Sequence, residues 1–148
     1  CSPILKPMEI IRRNTDYALR LIIHLAQLKP GKAVSSRTLS QAELVPLTLT
    51  SKLLQKLHAA KLIGSRMGST GGFYLDKQPK AISLADVVEV IQGPISVNKC
   101  FLNESVCPRI SFCSIRKELL KLQKRVEDFY HDTTIDMLAE NHPSGVKK

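Results

Sequence analysis

The segment Ile63-Gly-Ser-Arg-Met-Gly-Ser-Thr-Gly-Gly-Phe-Tyr-Leu-Asp76 sets two short β-compatible runs on either side of Gly68-Ser-Thr-Gly-Gly72. Runs this short, joined through a glycine-rich tip, read as a β-hairpin. What precedes the hairpin reads as helix. A first helix is expected to begin near Thr15 or Asp16, both good N-terminal residues, and to run to about Leu28. Ala18, Ile22, Leu25 and Leu28 then share one face, and Pro30-Gly31 stops the helix. A second, from about Ser36 to Ala42, is followed by a turn at Leu44-Val45-Pro46. Pro46 suits the start of a third helix, where its missing N–H costs little. That helix, from about Thr48 to Ala60, turns Leu49, Leu53, Leu54 and Leu57 inward and leaves Thr48, Thr50, Ser51, Lys52, Gln55 and Lys56 outside. Three helices and then a hairpin make a winged helix-turn-helix, so the expected class is mainly α with a small β wing.

The 148 residues suffice for one ordinary domain, or a small one with a helical appendage. Lys and Arg outnumber Asp and Glu by 22 to 13, a net charge of +9, and that surplus calls for a polyanionic partner, either nucleic acid or an anionic membrane surface. Residues 47–80 hold six Lys/Arg against one Asp, so +5 of the excess falls on the third helix and the hairpin. In the major groove of double-stranded DNA, Thr48, Thr50, Ser51, Lys52 and Lys56 would bring hydroxyls and amines to base edges and phosphates. Arg66, near the hairpin tip, is placed to reach a phosphate or the adjacent minor groove. Gly68, Gly71 and Gly72 let the backbone approach the sugar–phosphate chain closely, and Gly68, Ser69 and Gly71 are the candidate contacts at the tip. The plain alternative is a solvated basic surface on a protein–protein module of the same fold.

Other classes find little support. The most apolar early run, Leu21-Ile22-Ile23, is broken at His24 and is too short for a signal peptide or a membrane span. The chain therefore reads as cytoplasmic, with no membrane partner. There is no Ser/His/Asp set, phosphate loop or pair of carboxylates of the kind an enzyme needs, and His24 reads as a packing residue.

Residues 1–7 precede Met8 without periodicity and read as an upstream extension; residues 8–93 form the winged-helix domain, 94–113 a cysteine loop, 114–141 a long helix with a short terminal one, and 142–148 a polar tail. Ser83-Leu-Ala-Asp86 is a capping box opening a helix that ends at Gly93-Pro94. The long helix starts near Ser114 with Ile115, Leu119, Leu122, Val126 and Phe129 at spacings of a coiled-coil seam. One chain of this size offers such a seam little to lie on except a second copy, which implies a homodimer. A short helix, Thr134 to Glu140, is expected to fold back.

Cys100, Cys107 and Cys113 fall within fourteen residues of a chain that has four cysteines in all. A cytoplasmic chain makes a structural disulfide uncommon, and one would leave a thiol over. Structural zinc sites usually pair cysteines two to four residues apart and complete a tetrahedron with a further Cys or His. Here the gaps are six and five residues, and no His lies between Asn98 and Arg125. An iron–sulfur cluster, [2Fe-2S] or [4Fe-4S], is held mainly by Cys thiolates, and a flexible loop can wrap one with irregular spacing. The candidates are thus a cluster on Cys100, Cys107 and Cys113, another metal or a redox thiol, or inert packing.

Several stretches together resemble the Rrf-two family of bacterial winged-helix transcriptional regulators over Met8 to about Asn141. They are Thr15-Asp-Tyr-Ala-Leu-Arg20, Leu53-Leu-Gln-Lys-Leu57 leading to Leu62-Ile63, the wing Gly68–Gly72, Ile82-Ser-Leu-Ala-Asp-Val-Val88, and three cysteines followed by a long helix. The resemblance implies a homodimer on palindromic DNA, commonly a repressor, whose affinity changes with the state of a cluster. A dimer of this kind sets its two reading helices one DNA turn apart, about 34–36 Å. In IscR-like members a His stands three residues after the last Cys and ligates the cluster; here that position is Arg116. NsrR-like members carry the Thr-Asp pair, and in some of them that Asp reaches the cluster of the partner subunit. Asp16 matches it, its plain reading being a carboxylate favoured by the helix dipole. Two departures touch the DNA-reading surface: Met67 stands where IscR-like wings carry Arg, and Pro46 where Ser is frequent. Other members of the family work without a cluster, so the alternative is a regulator controlled by thiol oxidation or by a protein partner.

Overall fold

In the computed structural model, which describes residues 9–143, the first helix α1 runs from Arg13 to Ala26. The expected extension at residues 1–7, the start at Met8 and tail residues 144–148 lie outside the described residues. Helix α1 begins ahead of Thr15 because its open N-terminus is closed from elsewhere in the chain. The side-chain carbonyl of Gln92 accepts from Arg12 N–H (3.2 Å) and from the buried hydroxyl of Thr15 (2.7 Å). Ala18, Leu21, Ile22 and Leu25 face the core, as the spacing requires.

Helix α2 (Ser36–Glu43) is capped by Ser35, whose hydroxyl accepts from Thr38 N–H (3.1 Å). It ends at Leu44 in the left-handed region (φ 55°), the sharp turn that leads into α3 (Leu47–Ala59). Beyond α3 the chain turns at Lys61 (φ 62°), and Leu62 N–H reaches back to Leu57 C=O (3.1 Å). Strands β1 (Ile63–Arg66) and β2 (Gly72–Leu75) then pair antiparallel, Ile63 opposite Leu75 and Arg66 opposite Gly72. Val34, in the connection between α1 and α2, exchanges two backbone hydrogen bonds with Phe73 (2.8 and 2.9 Å) and so ties the wing to the helices.

The capping box forms as read. Ser83 Oγ accepts from Asp86 N–H (3.1 Å), Asp86 Oδ2 accepts from Ser83 N–H (2.9 Å), and α4 follows from Leu84 to Gln92. Residues 94–113 are not bare loop: they hold a one-turn helix α5 (Lys99–Leu102) and 3-10 turns at Glu104–Val106 and Ile110–Phe112. The long helix α6 spans Ser114–Asp132, and α7 (Ile135–Ala139) returns to α1 and buries Ile135 completely. The main core gathers Leu21, Ile22, Leu39, Leu53, Leu54, Leu57, Ile82 and Val87 with Ile135. A second cluster joins Leu84, Ala85 and Val88 of α4 to Tyr130 of α6, with Val126 against it. The seam expected on α6 therefore divides. Val126 is used within the chain, while Ile115 (67% exposed), Leu122 (47%) and Phe129 (61%) remain in water at seven-residue intervals.

Tyr130 is 5% exposed, and among the described residues its hydroxyl finds no hydrogen-bond partner. Burial raises its phenol pKa above the ordinary 10.0. The folded state thus holds the proton more tightly than the unfolded one. Its contribution to stability is complete below about pH 10 and declines as pH rises above that value. Tyr130→Phe is expected to abolish this alkaline loss and to leave stability at neutral pH unchanged or higher, since it removes an unpaired hydroxyl and no hydrogen bond. Urea denaturation of both proteins near pH 7 and above about pH 10 measures the difference.

Candidate nucleic-acid interface and cysteine loop

Helix α3 carries the first group of candidate residues. Its inner row of Leu53, Leu54 and Leu57 is buried, which leaves Thr48, Lys52 and Lys56 exposed and Ser51 half-exposed. Thr50 corrects the reading that placed it outside. It is completely buried, and its hydroxyl donates to Val45 C=O (3.3 Å) while its N–H donates to Pro46 C=O (2.8 Å). It braces the turn before α3 and presents nothing to a ligand.

At the wing, Arg66 was expected to reach a phosphate or the adjacent minor groove, and in the free chain it is held by other contacts. Its guanidinium lies over the Tyr74 ring (5.4 Å to the centroid) and donates to Gly31 C=O, so the side chain runs back along the hairpin. The tip itself is closed by Gly71 N–H on Gly68 C=O (3.0 Å). Gly68 has φ +104°, and a Cβ on Gly71 would run into the Arg66 carbonyl. Both glycines are therefore required by the turn itself, before any approach to a ligand. Gly68 and Ser69 are exposed, and Gly71 is half-buried.

The three candidate ligands are half-buried free thiols. Cys100 sits in α5, Cys107 lies between the two 3-10 turns, and Cys113 caps α6, its sulfur accepting from Arg116 N–H (3.4 Å). Among the described residues no three Cys, His, Asp or Glu side chains are gathered where one metal ion could sit between them. The donor chemistry nevertheless suits a cluster: three soft thiols on one short segment, beside a buried Arg116 Nε–H that lacks an acceptor. To hold one, the three thiols would have to be brought together. Asp16 does not join them in the single chain, because its carboxylate pairs with Arg20 (2.8 Å) on the surface of α1.

Two residues that the sequence reading did not single out as structural links organise this loop. The Arg116 guanidinium stacks over Phe101 (5.5 Å) and donates to Glu104 (3.3 Å), so it touches the arm between Cys100 and Cys107 while its backbone serves Cys113. Gln123, 8% exposed on α6, accepts from Val97 N–H (2.8 Å) and donates to Ile95 C=O (2.8 Å). A buried Gln on an apolar helix face was the available sign. His24 is a structural residue, donating through Nδ1 to the buried carboxylate of Glu43 (2.6 Å). Among the described residues no helix is long and apolar enough to cross a membrane.

Comparison with known proteins bears on this arrangement. The family model Rrf2, described as iron-dependent transcriptional regulator, matches residues 11–141. CymR (YrzC), the global cysteine regulator of B. subtilis, is 26% identical with a TM-score of 0.77, the match covering 91% of this chain and 99% of that one. Staphylococcus aureus CymR in its oxidized form is 25% identical, TM-score 0.70, covering 91% and 98%. T. potens IscR shares the fold at 20% identity and a TM-score of 0.70, covering 100% and 96%. A winged helix with a basic recognition face, a long helix bearing an unpaired apolar stripe, and a family match over nearly the whole described length lead to one assignment: the chain belongs to the Rrf2 family of transcriptional regulators.

Proposed function

We propose that this regulator is a cytoplasmic homodimer that represses from a palindromic operator, and that its cysteine loop makes DNA binding depend on an iron–sulfur cluster held by Cys100, Cys107 and Cys113. The observation that carries this reading is the position of the loop. It is the only covalent link between α4 of the winged-helix unit and α6, which bears the exposed stripe Ile115, Leu122 and Phe129. When bound, a cluster supplies iron that responds to redox state, nitric oxide or iron supply. The chain's own part is mechanical. Cys113 is fixed at the start of α6, Arg116 holds the Phe101–Glu104 arm against it, and Gln123 bolts Ile95–Val97 to the middle of α6. Gathering the thiols pulls on that linkage and sets the spacing of two α3 helices across the dimer. A fourth ligand from Asp16 of a second copy is compatible with its exposed place on α1.

A second reading, thiol control without a cluster, is favoured by two observations: the three thiols are accessible and uncollected, and a relative at 25% identity is known in an oxidized form.

Purification without oxygen separates the two. The cluster reading expects a brown protein with broad visible absorption and matching iron and sulfide, lost in Cys107→Ala. Colourless protein that stays free of iron and sulfide after anaerobic reconstitution would sink the cluster and leave the thiol switch. Leu122→Lys with Phe129→Lys is expected to convert a dimer to a monomer in sedimentation, because each buried apolar side chain contributes about 1.5–3 kcal/mol. Lys52→Ala with Lys56→Ala should weaken binding to any duplex and flatten its salt dependence by roughly one unit of log–log slope per lost phosphate contact. Thr50→Val should instead lower the unfolding midpoint and leave that slope unchanged.

A further inference from the structure

The wing tip combines three features. Met67 is 98% exposed, the most open of the large apolar side chains among the described residues. Its neighbours on the tip, Gly68, Ser69, Thr70 and Gly71, are all short, so Met67 is the one long side chain there. The nearest cation, Arg66, is drawn away by its contacts with Tyr74 and the Gly31 carbonyl. The turn is closed by a hydrogen bond between two glycines that admit no other residue without strain or collision. A tip that withdraws its charge and extends an unbranched apolar side chain is unsuited to gripping phosphate. It has the form of a wedge. Minor-groove proteins insert Met, Leu, Ile, Phe or Pro at base steps and unstack them, most cheaply at pyrimidine–purine steps. A thioether chain is narrow and flexible enough to enter a groove about 6 Å wide.

We infer that Met67 is the wing's contact with DNA, an apolar minor-groove probe that reads deformability, so that operators of this regulator carry a flexible pyrimidine–purine step opposite each wing. The inference rests on the assignment of the chain as a DNA-binding regulator. The probe is a duplex that the full-length protein selects from a random 30-base-pair pool (a length of about three helical turns), with 2-aminopurine placed at the step facing the wing. Met67→Ala is expected to weaken binding roughly three- to tenfold, the scale of a partly buried apolar side chain, with the salt slope unchanged. It should also abolish the fluorescence rise that reports unstacking. Met67→Leu should keep both affinity and fluorescence. Met67→Arg should steepen the salt slope by about 0.9 per wing. At so exposed a position none of these changes threatens the fold. Wild-type affinity and fluorescence in Met67→Ala would overturn the proposal and leave DNA binding intact, whereas a wild-type chain that selects no duplex would overturn the regulator reading and this proposal with it.

Discussion

Two backbone hydrogen bonds fix the long helix to the rest of the molecule. Leu84 N–H donates to Thr133 C=O (2.7 Å) and Ile135 N–H donates to Ile82 C=O (2.9 Å), between two isoleucines that are completely buried. Helix α4 departs from this junction and α6 arrives at it, so the two share one anchored end. Gln123, near the middle of α6, meets Ile95 and Val97, which lie just beyond the end of α4. From Ser114 to Leu122, α6 extends past α4, and what it meets there is the cysteine loop. The geometry is that of a lever with a clamp at one end, a bolt half-way along, and a loop attached to the free arm.

Magnitudes decide which attachment transmits a movement. The Arg116–Glu104 pair is solvent-facing on the Glu side, at 79% exposure, and pairs of that sort are worth about 0–1 kcal/mol. It can hold the loop in one arrangement and release it cheaply. Gln123 is different. Breaking its bonds would strand the Val97 N–H and the Ile95 carbonyl in a part-buried place, at about 1–3 kcal/mol for each unsatisfied group. The loop is thus loosely held where the cysteines are and firmly held where it joins α4, so in the proposed mechanism a rearrangement among the thiols would shift the α4–α6 relation before it detached the segment. Coupling between two sites typically amounts to 1–3 kcal/mol, a range that the Gln123 linkage can carry and the surface pair cannot.

Much of the fold was legible because local chemistry and tertiary structure agree. The hairpin follows from its glycine tip, the start of α4 from Ser83 and Asp86, and the inner face of α3 from the Leu53, Leu54 and Leu57 spacing. Where it was not, a contact outside the simple helix or strand pattern took a group that the pattern pointed elsewhere. Helix α1 begins at Arg13 because Gln92, 77 residues beyond Thr15, receives its first donors. Thr50 looked like a surface hydroxyl on a helix edge, yet the tight Leu44–Val45 turn brings a carbonyl over it. The contacts of Arg66 with Tyr74 and the Gly31 carbonyl could not be read from the strand pattern. The cysteines could be read as donors by type; that the lone chain leaves them apart could not, since neither composition nor spacing fixes the path of residues 98–113. Arg116 was noticed only as a missing His, although an Arg three residues past Cys113 lies on the same side of the helix start and can reach back over the loop.

The free arm of α6 also determines where a second copy would act. Ile115 and Leu122 lie on the part that projects beyond α4, and Phe129 continues their line toward the anchored end. Covering the half to two-thirds of each that is still exposed would contribute about 1–2 kcal/mol per side chain, and a two-fold dimer counts every residue twice. The sum, roughly 5–10 kcal/mol, is of the order of the 4–15 kcal/mol that association costs in lost freedom. A dimer built on this stripe alone would therefore be loosely held. Whatever lies beside the stripe then matters to its geometry, and beside Ile115 lies Cys113, the residue at which the cysteine segment becomes helix. In the proposed assembly the partner helix and the cysteine loop press on the same turn of α6, so the loop needs no long path to reach the dimer: a change of order among Cys100, Cys107 and Cys113 alters the surface on which the second copy rests.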